Sequence, residues 1–118
     1  MQKIIISDTS CLILLHKIGE LEILHKLFGV VVTTQEVAGE FGISLPSWIE
    51  LQQPLNTKYQ SIIEASVDRG EASAIALAIE HVNSLLIIDE FKGRKLAQHL
   101  GLNITGTLGI LIEAKIVA

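Results

Sequence analysis

The sequence predicts an α/β fold, a three-layer α/β/α sandwich with a central parallel sheet, and three observations carry that prediction. Short runs of β-branched and aliphatic residues, "KIIIS", "GVVVTT" and "SLLIID", have no polar alternation and suit strands buried on both faces. Segments of helical period lie between them, and strands alternating with helices select parallel pairing with helices covering both sides of the sheet. Glycine or proline punctuates several of the joints.

Taken in order, residues 3–7 read as a strand, and "CLILLHKIG" (11–19) as a helix that stops at Gly19. A second helix, "ELEILHKLF" (20–28), gathers Leu21, Leu24, Leu27 and Phe28 on one face. "GVVVTT" is the next strand and "TQEVAGEF" a short helix on which Val37 and Phe41 bury together. Pro46 and Pro54 bracket "WIELQ", a short edge strand. "KYQSIIEASV" is helical up to the break "DRG". "EASAIALAIEH" (71–81) is apolar almost all round and rich in alanine, the pattern of a buried helix lying close on a sheet. "SLLIID", "EFKGRKLAQHL", "LNIT" and "TLGILIEAKIV" complete the alternation as strand, helix, strand and helix.

With 118 residues and 49% hydrophobic content, the chain has the size of a single domain spanning 1–118 with one substantial core. No apolar run has the length of a membrane span, and "MQKIII" lacks the apolar stretch and cleavage site of a signal peptide, so a cytoplasmic location is expected. The one cysteine, Cys11, excludes an internal disulfide and reads as a small buried hydrophobe. A net charge of −4 offers no global basic field for nucleic acid. It excludes a generic DNA-binding module more readily than a metal-dependent enzyme, whose site is itself acidic.

In a parallel α/β sheet, strand carboxyl ends and the N-termini of the following helices share one edge, where ligands bind. Asp8 ends the first strand, Asp89 ends "LLIID" and Glu71 opens the helix before that strand. Glu40, in the second turn of its helix, can lean back to the same edge because helical side chains tilt toward the N-terminus. Carboxylates gathered there repel one another, and a divalent cation relieves that. Oxygen ligands select Mg²⁺ or Mn²⁺ over zinc, and His16, His25, His81 and His99 show no paired zinc spacing. The chemistry natural to such a site is in-line hydrolysis of a phosphodiester.

Each acid also has a plain structural reading. Asp8 can N-cap the first helix and Asp89 the helix after it, while "DRGE" fits a capping box with Asp68 as N-cap and Glu71 three residues on. Glu40 alone would pass as a solvated helix residue. Their joint placement is the signal. Glu36 and Glu40 are like charges at i, i+4, and Gly39 beside them costs the helix about 1 kcal/mol. "FKGRK" adds Lys92, Arg94 and Lys95 directly after the acidic edge, either as a solvated face or as a grip on phosphate.

Together "SDTS", "EVAGEF", "GEASAIALA", "LLIIDEFKGRKLAQHLGL" and "GTLGIL" resemble the PIN-domain ribonucleases, most of all the compact VapC toxin type, over essentially the whole chain. The resemblance implies Mg²⁺-dependent cleavage of RNA by Asp8, Glu40, Glu71 and Asp89, as both catalytic and metal-binding residues. It matches Ser10, next to Thr9, to the family's serine or threonine near the first acid, and places Glu90 where related chains often carry a second aspartate. It further implies a homodimer and a cognate antitoxin that blocks the site. Two alternatives stand beside it: a PIN-like module that binds RNA or a partner without cutting, and a phosphoacceptor receiver-type domain. The receiver reading lacks an acidic pair after the first strand and a lysine in "NITGT".

Overall fold

The computed structural model describes residues 3–117. Five strands form one sheet: β1 (Ile4–Ser7), β2 (Val31–Thr33), β3 (Ile49–Leu51), β4 (Ser84–Ile87) and β5 (Ile104–Thr105). Their order is β3-β2-β1-β4-β5, and every pairing is parallel. Among the described residues seven helices surround it: α1 (Thr9–Lys17), α2 (Glu22–Phe28), α3 (Gln35–Phe41), α4 (Thr57–Ile63), α5 (Arg69–Glu80), α6 (Phe91–His99) and α7 (Thr107–Val117). The three-layer parallel sandwich anticipated from the alternation is the fold observed.

The period of two along each strand explains why the runs are apolar throughout. Ile5, Val31 and Ile87 point to one face, where Leu12 and Leu15 of α1, Leu24 of α2 and Ile110 of α7 pack. Their neighbours Ile6, Val32 and Leu86 point to the other, against Ala72, Ala74, Ile75 and Ala78 of α5 and Ala97 of α6. Every residue from Gly70 to Ala78 is buried, so α5 is the interior helix its alanine content predicted. No helix among the described residues is long and apolar enough to cross a membrane.

Several helix boundaries differ from the sequence expectation: α2 starts at Glu22 rather than residue 20, and α5 starts at Arg69, inside the expected break, because Asp68 caps it; two others show their local reason clearly. α1 starts at Thr9 rather than residue 11, because Asp8 is extended and caps it. α4 ends at Ile63, short of "EASV", where Ala65 N and Ser66 N turn back to the carbonyls of Ile62 and Ile63 ahead of the Asp68 cap. The strand order also removes the receiver alternative, whose sheet runs 2-1-3-4-5.

Candidate active site

From β1 the chain builds outward to β2 and β3, then crosses to the other side of β1 for β4 and β5. Neighbouring connections therefore diverge between β1 and β4, leaving a crevice beyond their carboxyl ends. Asp8 and Asp89 flank it.

Asp8 is completely buried. Its Oδ1 accepts from Cys11 N at 3.0 Å and its Oδ2 from Asp89 N at 3.2 Å. The capping reading is thus true of Asp8, and it coexists with a place in the crevice. Burial lifts its pKa to about 7, with the two backbone N–H bonds working against that rise and the charges of Asp89 and Asp68 adding to it.

Asp89 departs from the capping expectation. Glu90 caps α6, accepting from Gly93 N at 2.9 Å, because it is Glu90 whose extended backbone precedes the first helical residue. Asp89 instead reaches α7, where Oδ1 accepts from Thr107 N at 2.7 Å and Oδ2 from Thr107 Oγ1 at 2.5 Å. Thr107, buried at the start of α7, is a site residue that the sequence did not single out; its signal was a threonine at the opening of "TLGIL". Gly106 is bare for the same cause, since a Cβ there would stand 2.8 Å from Asp89 Oδ1 and 2.9 Å from Arg94 Nη1. Arg94 accordingly lies beside Asp89, donating to the carbonyl of Ile88 at 2.8 Å, and does not share the exposed face of Lys92 and Lys95.

Asp68 caps α5 as "DRGE" suggested, accepting from Glu71 N at 2.8 Å. Glu71 is 5% exposed, and its Oε2 is buried with no hydrogen-bond partner among the described residues. Burial raises its pKa to about 8, reinforced by Asp68 and then by Glu90 and Asp8. Gly93 leaves the space it occupies: a Cβ at that position would come within 2.6 Å of Glu71 Oε2 and 2.7 Å of Ile88 Cδ1. Glu40 is exposed and leans back as its helical tilt requires. Its Oε1 accepts from Thr9 Oγ1 at 2.5 Å, and its carboxyl lies where a side chain on Gly70 would be. Ser10 is exposed on the first turn of α1. Cys11 is buried, and burial pushes its thiol up to about 12, which makes it inert as a nucleophile.

A hard divalent cation fits this edge in kind. The donors are all carboxylate oxygens, one of them buried and unpartnered, and two of the acids carry burial costs that nearby carboxylates increase. As the side chains stand, no group of three or more acids, histidines or cysteines among the described residues is arranged to hold an ion. Hydrogen bonds to Thr9 and Thr107 hold Glu40 and Asp89.

No curated protein matches the chain. A family model described as a PIN domain matches residues 4–116, a span that takes in all five strands and all four acids. By that match and by its fold, the chain belongs to the PIN-domain family.

Proposed function

We propose that this PIN domain is a divalent-metal-dependent endoribonuclease, using Mg²⁺ or Mn²⁺, and the toxin of a toxin–antitoxin pair. PIN domains are in general nucleases. The observation that carries the reading furthest is the buried Oε2 of Glu71, without a hydrogen-bond partner among the described residues, whose charged neighbours Asp68, Glu90 and Asp8 are all acidic. An uncompensated buried carboxylate costs stability, and a cation at that edge would offset the cost. Asp8, Glu71 and Asp89 would hold it from the two sides of the crevice, and Glu40, exposed, would swing from Thr9 to join them. Bound there, such an ion lowers the pKa of an attacking water and stabilises charge on the phosphoryl and leaving oxygens.

The chain's own residues set the geometry. Thr107 fixes Asp89 with two hydrogen bonds, and the backbone N–H groups of Cys11 and Asp89 fix Asp8. Beyond Glu71 and Glu90 the surface turns basic: Lys92, Lys95 and His99 line a groove with Ser66 and Leu96. Lys92 and Lys95 would hold RNA phosphates there, while Arg94 supports the carboxyl end of β4.

The partner readings rest on apolar surface. Leu14 and Ile18 of α1 and Leu108 and Ile112 of α7 are exposed. A cavity of about 590 Å³ between α2 and α7 has Ile23, Leu27 and Leu111 in its walls. These surfaces suit an antitoxin and a second copy of the chain.

A PIN domain that binds RNA or a partner without cutting is the second reading, favoured by the lack of a ready cation cage among the described residues. Incubation of the purified protein with single-stranded RNA and Mg²⁺ or Mn²⁺ separates the two. Internal cleavage that stops with EDTA supports the nuclease; RNA bound but left whole under every metal condition supports the binding module.

A further inference from the structure

On the far side of Glu40 lies an open cavity of about 440 Å³ lined by Gln35, Glu36, Gly39, Glu40, Gln53 and Arg69. Its size is that of a small-molecule site. It lies by α3 and the end of β3, whereas the basic groove lies by α6, so the two flank the acidic edge from opposite halves of the sheet.

The polar groups of this cavity are held in a chain. Gln53 Oε1 accepts from Gln35 N at 2.6 Å, and Gln53 Nε2 donates to Glu36 Oε1 at 3.1 Å. From the other side Gln60 Nε2 donates to Glu36 Oε2 at 2.6 Å. These two bonds orient the carboxylate and use one acceptor position on each oxygen, out of two. One acceptor position on each Glu36 oxygen remains, in a carboxylate held between Gln53 and Gln60 at the wall of the cavity.

Gly39 gives an independent sign. Glycine inside a helix costs about 1 kcal/mol relative to alanine. Packing does not ask for it, since a Cβ at position 39 meets no atom of the described residues within 4 Å, and Gly39 is not among the glycines with positive φ. What its bareness does is leave the backbone of α3 open as a flat wall of the cavity.

We propose that this cavity reads a guanine of the RNA next to the scissile phosphate, with Glu36 accepting from the N1–H and N2–H groups and Arg69 holding an adjoining phosphate. The proposal rests on the nuclease reading and adds the base it selects. Guanine alone offers two adjacent donors on one edge. Adenine and cytosine place an acceptor nitrogen beside their amino group, and uracil flanks its single N–H with carbonyls, so each would turn an acceptor against one Glu36 oxygen. Glu36 stays ionised for this role: against its partial desolvation, the bonds from Gln60 and Gln53 hold its pKa below the usual glutamate value.

The test is fluorescence anisotropy with the full chain in EDTA, using two short pyrimidine-rich RNAs that differ only in one guanine or inosine. Inosine keeps N1–H and lacks the 2-amino group. Binding roughly tenfold tighter to the guanine RNA is expected of a bidentate contact. Glu36→Gln should bring the two RNAs within twofold of each other, and Arg69→Ala should weaken both alike. Equal binding of the two by the wild-type chain overturns the subsite, as does preserved discrimination in Glu36→Gln. The wild-type comparison decides the matter even if the variant fails to fold. RNA bound and cut without guanine preference sinks the subsite and leaves the nuclease standing, whereas no RNA bound or cut under any condition removes the nuclease reading and the subsite with it.

Discussion

The backbone N–H of Asp89 donates to Oδ2 of Asp8 at 3.2 Å, joining the carboxyl ends of β1 and β4 across the crevice between them. The same carboxylate caps α1 through Oδ1. Asp8 therefore supports the fold with both oxygens while lying where the proposed cation would be held.

That double duty separates two substitutions that look alike. Asp89→Asn can keep both bonds to Thr107, because the Thr107 hydroxyl can accept from an amide as readily as it donates to a carboxylate. In Asp8→Asn the amide nitrogen must face one of two backbone N–H groups, leaving a buried donor unsatisfied at about 1–3 kcal/mol. Both variants should lose RNA cleavage. In EDTA, Asp89→Asn should melt close to wild type and Asp8→Asn lower than Asp89→Asn; the reverse order in calorimetry would contradict these hydrogen bonds.

Stability should fall with rising pH in the absence of metal. Asp8 and Glu71 have pKa values raised to about 7 and about 8, so between roughly pH 4 and 8 the folded chain binds more protons than the unfolded one. These groups cost nothing below their unfolded values and destabilise increasingly as pH rises toward the raised ones. Thermal melts in EDTA should give a lower midpoint at pH 8 than at pH 5. Mg²⁺ should raise the midpoint more at pH 8, and Glu71→Gln should flatten the pH trend. A midpoint that climbs toward pH 8 without metal would remove the charge-burial argument.

Two glycines should respond to alanine in different ways. At Gly70 the new methyl meets the carboxyl of Glu40, an exposed side chain that can swing aside. Gly70→Ala should leave the melting temperature near wild type and reduce cleavage by displacing Glu40. At Gly93 the methyl meets Ile88 Cδ1 and Glu71 Oε2 in the interior, so Gly93→Ala should destabilise by about 1–3 kcal/mol. Chemical denaturation of both variants reads this directly.

Lys92 and Lys95 should contribute to RNA affinity as charges. Replacing both by alanine should weaken binding and lower the slope of log K against log salt by roughly 0.7 for each phosphate that is no longer neutralised. Arg94→Ala should act otherwise, lowering stability by removing the bond to Ile88 O and disturbing the surroundings of Asp89. Titrations at several salt concentrations distinguish them, and an unchanged slope for the double variant would assign Lys92 and Lys95 to ordinary solvation.

The sequence by itself determined the order of the elements and the layer each belongs to. The strand cores "III" and "LLII" lack polar alternation because both faces of a parallel sheet are covered, and the all-round alanine pattern of α5 arises because α3, α4 and α6 pack around it as well as the sheet. It also placed Asp8, Glu40, Glu71 and Asp89 at one edge, since chain direction in alternating strands and helices decides which termini meet. Only the tertiary structure decided which hydrogen bond each acid makes. Asp89 pairs with Thr107, 18 residues away, and Glu90 takes the cap beside it; local spacing suggested the opposite because it cannot see a helix arriving from β5. Arg94 turned inward and Glu71 Oε2 stayed unpartnered for the same reason, as both outcomes depend on the room left by Gly106 and Gly93. The Glu36 cavity needs Gln53 from the end of β3 and Gln60 from α4, groups with no fixed spacing that meet only when the sheet and helices have closed on one another.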